Sequence, residues 1–238
     1  MKLKKRKRWS NSIKNHKTYP LTYFIPESEE EIQQIIKEAE LYQLQVRAVG
    51  SGHSFSDVAI TNDYLIDMRD MNHFLIFRSD YLKRHAKKKK LVQVQSGITF
   101  RDLNRGLDAR KLSLVNMSAI DQQTISGAIS TATHGSGNNL LDLSGMVRSI
   151  EFISDKGIKF KLEPKNGITD PRRYHADAKL LQEDNLFFAA LISLGCFGIV
   201  TSYILEVEEE YWLTESQQLD KWSIVKKQLQ NGSIFERY

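Results

Sequence analysis

Between residues 23 and 54 the chain spells a helix, a strand and a glycine loop in direct succession, and this run constrains the fold more than any other. In "YFIPESEEEIQQIIKEAELYQ", Ser28 can cap a first turn with Glu31 three residues on. Glu29 and Glu30 suit the positive end of the helix dipole. Ile32, Ile35, Ile36 and Ala39 recur at helical spacing and form one apolar face. "LQVRAV" reads as a strand that runs through Val49 into Gly50-Ser51-Gly52, with His53 and Ser54 directly behind. Two glycines one residue apart let backbone N–H groups turn inward around an anion, because no Cβ blocks close approach. A tight turn carrying a surface histidine is the plainer alternative, and both readings stand. A Rossmann fingerprint would need a third glycine where Phe55 stands.

Downstream, "DYLIDMRDM" and "KLVQVQSG" read as strands, with the solvated Lys87 to Lys90 run in the connection between them. "TFRDLNRGLDARK" is an amphipathic helix with Thr99 as cap and Phe100, Leu103 and Leu107 inside. "VRSIEFISDKGIKFKL" is a strand pair turning at Asp155-Lys156-Gly157. "NLFFAALISLG" is a helix stopped by Gly195, and "GIVTSYILEVEE" a strand. Helices and strands mix without regular alternation, so the expected class is α+β. From Thr214 the tail gives one helix and the first residues of a strand.

A second small-residue region, "SAIDQQTISGAISTATHGSG", spans Ser118 to Gly137. It can lie flat against a ligand and offer N–H and hydroxyl donors; a small-residue helix contact is the alternative. Its length and its "THGSG" ending favour ligand contact.

Charge and cysteine usage exclude other classes. Of 34 Lys and Arg, six lie in "MKLKKRKR", which leaves 28 against 29 acids over the remainder. The body is therefore no basic nucleic-acid platform. Residues 1–8 read as a solvated basic arm, with RNA or an anionic membrane surface as the rival use. The single cysteine, Cys196, fits a reducing cytoplasm and sits in an apolar run as inert packing. Leu186 to Val200, the longest apolar run, is too short for a membrane span and reads as buried helix, turn and strand. Six scattered histidines and one cysteine give no metal site, and His16, His73, His85 and His175 read as solvated or structural.

Taken in order, "PESEEEI", "VRAVGSGHSFSD", "LIDMRDMN", "VQVQSGITFRDLN", "ISGAISTATHGSG" and "SLGCFGIVTSYILEV" resemble the FAD-linked oxidases of the vanillyl-alcohol oxidase and p-cresol methylhydroxylase superfamily. Within it, the sugar-lactone and alditol oxidases are the most similar group. The resemblance covers roughly residues 9–210. It implies a PCMH-type FAD-binding domain over 9–212, built of two α+β subdomains (about 9–90 and 91–212) with FAD between them. It implies that Val49, Gly50, Ser51, Gly52, His53 and Ser54 hold the cofactor, with His53 joined covalently to the flavin 8α-methyl. Ala119, Thr124, Gly127, Ala128, Ile129, Ser130 and Thr131, continued by Thr133, His134 and Gly135, would line the isoalloxazine and pyrophosphate. Ile199 would offer main-chain groups to the adenine end.

The implied reaction moves a hydride from a sugar-lactone or polyol CH–OH group to flavin N5, with molecular oxygen as acceptor, or another acceptor as in dehydrogenase relatives. Relatives in this superfamily carry their substrate-binding and catalytic residues in a following cap domain. Residues 213–238 would be only its beginning, so no catalytic residue is identifiable, and a second polypeptide could supply the cap. A flavin-binding module without catalysis of its own is the alternative. The implied location is cytoplasmic, with the basic arm at a membrane surface as a further option.

Overall fold

The computed structural model describes residues 1–137 and 139–236. The first part of the chain runs β1 (Lys2–Lys5), β2 (Trp9–Ser10), β3 (Lys17–Thr18), β4 (Thr22–Ile25), α1 (Glu29–Leu41), β5 (Val46–Val49) and β6 (Tyr64–Asp67). These give a four-stranded sheet in the order β1-β4-β6-β5 and a small β2–β3 hairpin. The β4–β6 and β5–β6 pairs are parallel: α1 carries the chain across from β4 to β5, and residues 50–63 return it from β5 to β6, which lies between them. Ser28 caps α1 by accepting from the Glu31 N–H at 3.3 Å. The Glu31 carboxylate reaches one residue beyond the cap, to the Glu27 N–H at 2.8 Å. Ile32, Ile35, Ile36 and Ala39 are buried against Phe24, Tyr64 and Ile66.

The remainder runs β7 (Phe74–Leu75), β8 (Leu91–Gln95), α2 (Phe100–Asp108), β9 (Leu112–Ser113), α3 (Ile125–Ser130), β10 (Val147–Ile153), β11 (Lys159–Glu163) and β12 (Lys179–Gln182). It ends with α4 (Asp184–Leu191), β13 (Ile199–Glu206), β14 (Glu208–Glu209) and α5 (Trp222–Asn231). A six-stranded sheet, ordered β12-β11-β10-β13-β8-β7, forms the larger half. Side chains alternate across it. Val92, Val94, Ile150, Phe152, Leu162, Tyr203 and Leu205 face a core completed by α2, α3 and α4. Gln93, Glu151, Lys161 and Ile204 line a polar cavity away from that core. Together the two sheets and their helices make the expected α+β architecture.

The halves meet main chain to main chain at Gly97. Its N–H donates to the Met71 carbonyl at 2.8 Å. A Cβ at this position would lie 1.8 Å from the Met68 carbonyl oxygen, so only glycine fits.

Four expectations are corrected here. The basic arm is an edge strand: Lys2–Lys5 pair antiparallel with Thr22–Ile25, and the Lys2 ammonium contacts Asp70 at 2.8 Å and Glu27 at 2.9 Å. Pairing to a sheet edge satisfies its backbone while the basic side chains stay exposed, a pattern that charge alone hides. Phe74–Leu75 pair with β8, so strand pairing changes hands ahead of the expected residue-90 boundary. Cys196 is exposed rather than packed, because Leu194 and Gly195 take positive φ (51° and 78°) and lift the turn to the surface. Phe188 and Ile192 of the same apolar run are exposed as well. Ser233–Glu236 form a short 3-10 turn instead of a strand, and Arg237 and Tyr238 lie outside the described residues.

Candidate functional site

A cleft opens where the loop after β5 faces α3 across the junction of the two sheets. Its empty volume is about 1000 Å³, mouth included. Gly50 and Thr124 come from opposite halves of the chain and touch: a Cβ on Gly50 would stand 1.9 Å from Thr124 Oγ1. The two small-residue stretches singled out from the sequence are thus opposing walls of one cavity.

The glycine loop is held from outside. Ser12 donates its N–H to the Gly52 carbonyl at 2.8 Å, Asn11 its side-chain amide to the Ser54 carbonyl at 3.0 Å, and Asn15 to the Phe55 carbonyl at 3.1 Å. Every peptide here is trans, so the Gly52 carbonyl tied to the β2–β3 hairpin turns the His53 N–H the other way. Among the described residues, the N–H groups of Ser51, Gly52, His53 and Ser54 donate to no protein acceptor. Gly52 takes φ +72°, a conformation that favours glycine. Sequence reasoning missed Asn11, whose only signal is an amide side chain beside a two-residue strand.

The opposite wall is a short ladder. Ile125 donates to Ile98 at 2.9 Å, Ser126 to Ser96 at 3.2 Å, and Phe100 to Gln123 at 3.0 Å. Ser126 Oγ lies 3.3 Å from the Tyr203 hydroxyl, whose burial pushes that phenol's pKa up. Two residues of this wall, Ser96 and Gln123, keep a side-chain oxygen (Oγ and Oε1) that is buried without a hydrogen-bond partner among the described residues. Among the described residues, Arg47 is the one permanent charge in the lining, and no carboxylate lines it.

Of the residues expected from the sequence, Val49, Gly50, Ser51, Gly52, His53, Ser54, Thr124, Gly127, Ala128, Ser130 and Thr131 line this cleft. Six others stand outside its lining. Ile129 is buried in the core of the larger half, and Ile199 in that of the smaller, although its neighbours Gly198 and Val200 do line the cleft. Thr133, His134 and Gly135 fall elsewhere because the chain turns away at Ala132 (φ 57°), and Ala119 lies ahead of the stretch that enters the cleft at Gln123. Gly135 packs there against Asn116 and Met117, where a Cβ would come within 1.8 Å of Asn116 Oδ1. Arg47, Met68, Ser96, Gln123 and Ser126 join the lining without having been anticipated. Arg47 on β5, Met68 in a 3-10 turn and Ser96 just after β8 have no spacing pattern to give them away, while Gln123 and Ser126 lie inside the small-residue stretch without having been named.

These residues fit a long anionic cofactor. The unpaired N–H groups and Arg47 suit a pyrophosphate, the glycine contact admits close approach, and the small, partly apolar wall suits a flat ring. Among the described residues no three His, Cys, Asp or Glu side chains converge as metal ligands. No helix among them is long and apolar enough to cross a membrane.

Fold and cleft together define a two-sheet α+β domain for a dinucleotide-type cofactor. The chain belongs to the FAD binding domain family, whose model matches residues 20–162. It is 31% identical over 206 residues to D-arabinono-1,4-lactone oxidase of Candida albicans, covering 84% of this chain and 34% of that protein. It is 30% identical over 210 residues to L-gulono-1,4-lactone dehydrogenase of Mycobacterium tuberculosis, covering 88% and 43%. The chain thus spans well under half the length of these curated relatives. Among solved structures, cholesterol oxidase of Brevibacterium sterolicum shares the fold with a TM-score of 0.67 at 16% identity, covering 87% of this chain and 37% of that one. Alkyldihydroxyacetonephosphate synthase gives 0.61 at 23%, covering 80% and 32%.

Proposed function

We propose that this chain is the flavin-holding part of an oxidoreductase acting on the CH–OH group of a sugar lactone or a related polyol. The observation that carries the reading is the meeting of Gly50 with Thr124, which sets unpaired N–H groups against a small-residue wall inside one cleft. Bound FAD would supply a two-electron acceptor that takes a hydride at N5 and is reoxidised by molecular oxygen. The chain's own residues bind and orient. Ser51 to Ser54 and Arg47 hold the anionic pyrophosphate, Gly127, Ala128, Ser130 and Thr131 lie along the ring, and His53 is the point of covalent attachment at the 8α carbon. A ring nitrogen of neutral imidazole is a competent nucleophile for that role. Similarity to the lactone oxidase and dehydrogenase supports the substrate class.

An absorption spectrum of the purified chain, before and after acid precipitation, tests this. Flavin bands and a yellow pellet are expected. A yellow supernatant over a colourless pellet removes the covalent bond alone, and failure to take up FAD at all removes the flavin assignment.

The second reading is a flavin-binding module, or one part of a split enzyme completed by another polypeptide. It draws on the lack, among the described lining residues, of any acid–base side chain other than His53. Peroxide formation from aldonolactones and polyols, measured with the chain alone and with a candidate cap-bearing polypeptide, separates the two. Turnover by the chain alone excludes the module.

A further inference from the structure

We infer that Ser96 and Gln123 are cofactor-contacting residues whose side-chain oxygens complete their hydrogen bonding only on the bound flavin nucleotide; this rests on the flavin assignment above. Both residues line the cleft, and both oxygens are buried without a partner among the described residues. Ser96 is 1% exposed, so solvent does not serve its hydroxyl. A buried polar atom left unpaired destabilises a fold, and replacing it by an apolar group of similar shape is neutral or favourable. An orphan oxygen on a residue that lines a cavity therefore marks a place where a ligand can donate. FAD can do so through its imide N–H and its ribityl and ribose hydroxyls.

Position strengthens the assignment. Ser96 follows β8 directly, and its main chain is fixed on both sides: its N–H donates to Thr201 at 2.9 Å, and its carbonyl accepts from Ser126 at 3.2 Å. Gln123 is pinned in the same ladder through its carbonyl to the Phe100 N–H. The main chain at both positions is therefore fixed, and a side-chain rotation alone is needed to bring each buried oxygen to a ligand in the cleft. Ser149 Oγ is a third buried, unpartnered oxygen, but Ser149 lies on β10 at a register shift and outside the cleft. It serves as an internal control.

The test separates a contact residue from a structural one by the sign of two effects. FAD is titrated into Ser96→Ala and Gln123→Leu in a His53→Ala background, where no covalent bond can hold the cofactor, and each apoprotein is melted. Each substitution is expected to weaken FAD binding about 5- to 30-fold, with apoprotein melting temperatures equal to or above the parent's. Ser149→Ala should raise the melting temperature and leave FAD affinity unchanged. Affinities within twofold of the parent for both cleft variants overturn the inference, because the oxygens then meet internal water instead. Weaker binding together with lower apoprotein melting also overturns it, because the residues then only support the fold. Failure of the unsubstituted chain to take up FAD is a different result, and it removes the flavin assignment itself.

Discussion

The six-stranded sheet handles buried polar groups in opposite ways on its two sides. Away from the core, Glu163 is fully buried, yet it accepts from the Thr169 N–H at 2.9 Å, the Thr169 hydroxyl at 2.5 Å and the Gln182 amide at 2.9 Å. Beside it, Glu151 accepts from Lys161 at 3.0 Å, Gln93 at 3.0 Å and Ser202 at 2.6 Å. At the cleft, Ser96 and Gln123 keep oxygens that nothing in the protein meets. A saturated polar cluster stabilises the fold that contains it, whereas the orphan oxygens beside the cleft are, on the inference above, completed by a bound cofactor. Burial alone does not distinguish them; the count of partners does.

Glu163→Ala offers the hardest test of that contrast. It strands two buried donors on Thr169 and removes one of the two acceptors of the part-buried Gln182 amide, so urea unfolding should show a loss of about 3 kcal/mol, with FAD affinity preserved. A loss under about 1 kcal/mol would show that the saturated side is not structural in the sense argued. On the cleft side, Gly50→Ala drives a methyl into Thr124 and should cost about 1–3 kcal/mol, felt mainly as weaker FAD binding. Equal losses of stability in apoprotein and FAD-saturated protein would mean that the glycine serves only the fold.

Ser149→Ala removes an orphan that faces no ligand and should stabilise by about 1 kcal/mol in the same unfolding assay. The smallest effect belongs to Tyr64, a satisfied pair in the other sheet. Its phenol is pushed up to about 12 by burial and then by the Glu38 carboxylate it donates to at 2.6 Å. A phenol raised on folding contributes stability that is fully present below pH 10 and is lost between pH 10 and about 12. Tyr64→Phe should cost about 0.5–1.5 kcal/mol at neutral pH and flatten that alkaline limb.

Much of this was legible in the sequence because it depends on local chemistry. Thr99 caps α2 as its hydroxyl predicts, accepting from the Asp102 N–H at 3.2 Å, and Phe100, Leu103 and Leu107 are buried at the predicted spacing. The turn at Gly157 takes φ +69°, as the Asp155-Lys156-Gly157 turn requires. Both cleft walls announced themselves by composition, since close approach needs small residues at every step. What stayed hidden is non-local. Nothing in "MKLKKRKR" names its strand partner, and no periodicity marks Arg47, Asn11, Ser96 or Gln123. Their roles arise from which backbone lies opposite them. The apolar run holding Cys196 misled for a related reason: hydropathy reports what a segment could bury, while the turn at Leu194 and Gly195 decides what it does bury.

The crossing at Gly97 limits how this domain could be rebuilt. Because main chain rests on main chain there, no side chain is available to absorb a misfit between the portions before and after residue 71. A chimaera joining residues 1–71 of this chain to the later portion of a relative would have to preserve the backbone path of the donor within a few tenths of an ångström at that point. The two portions are better regarded as a matched pair than as interchangeable modules.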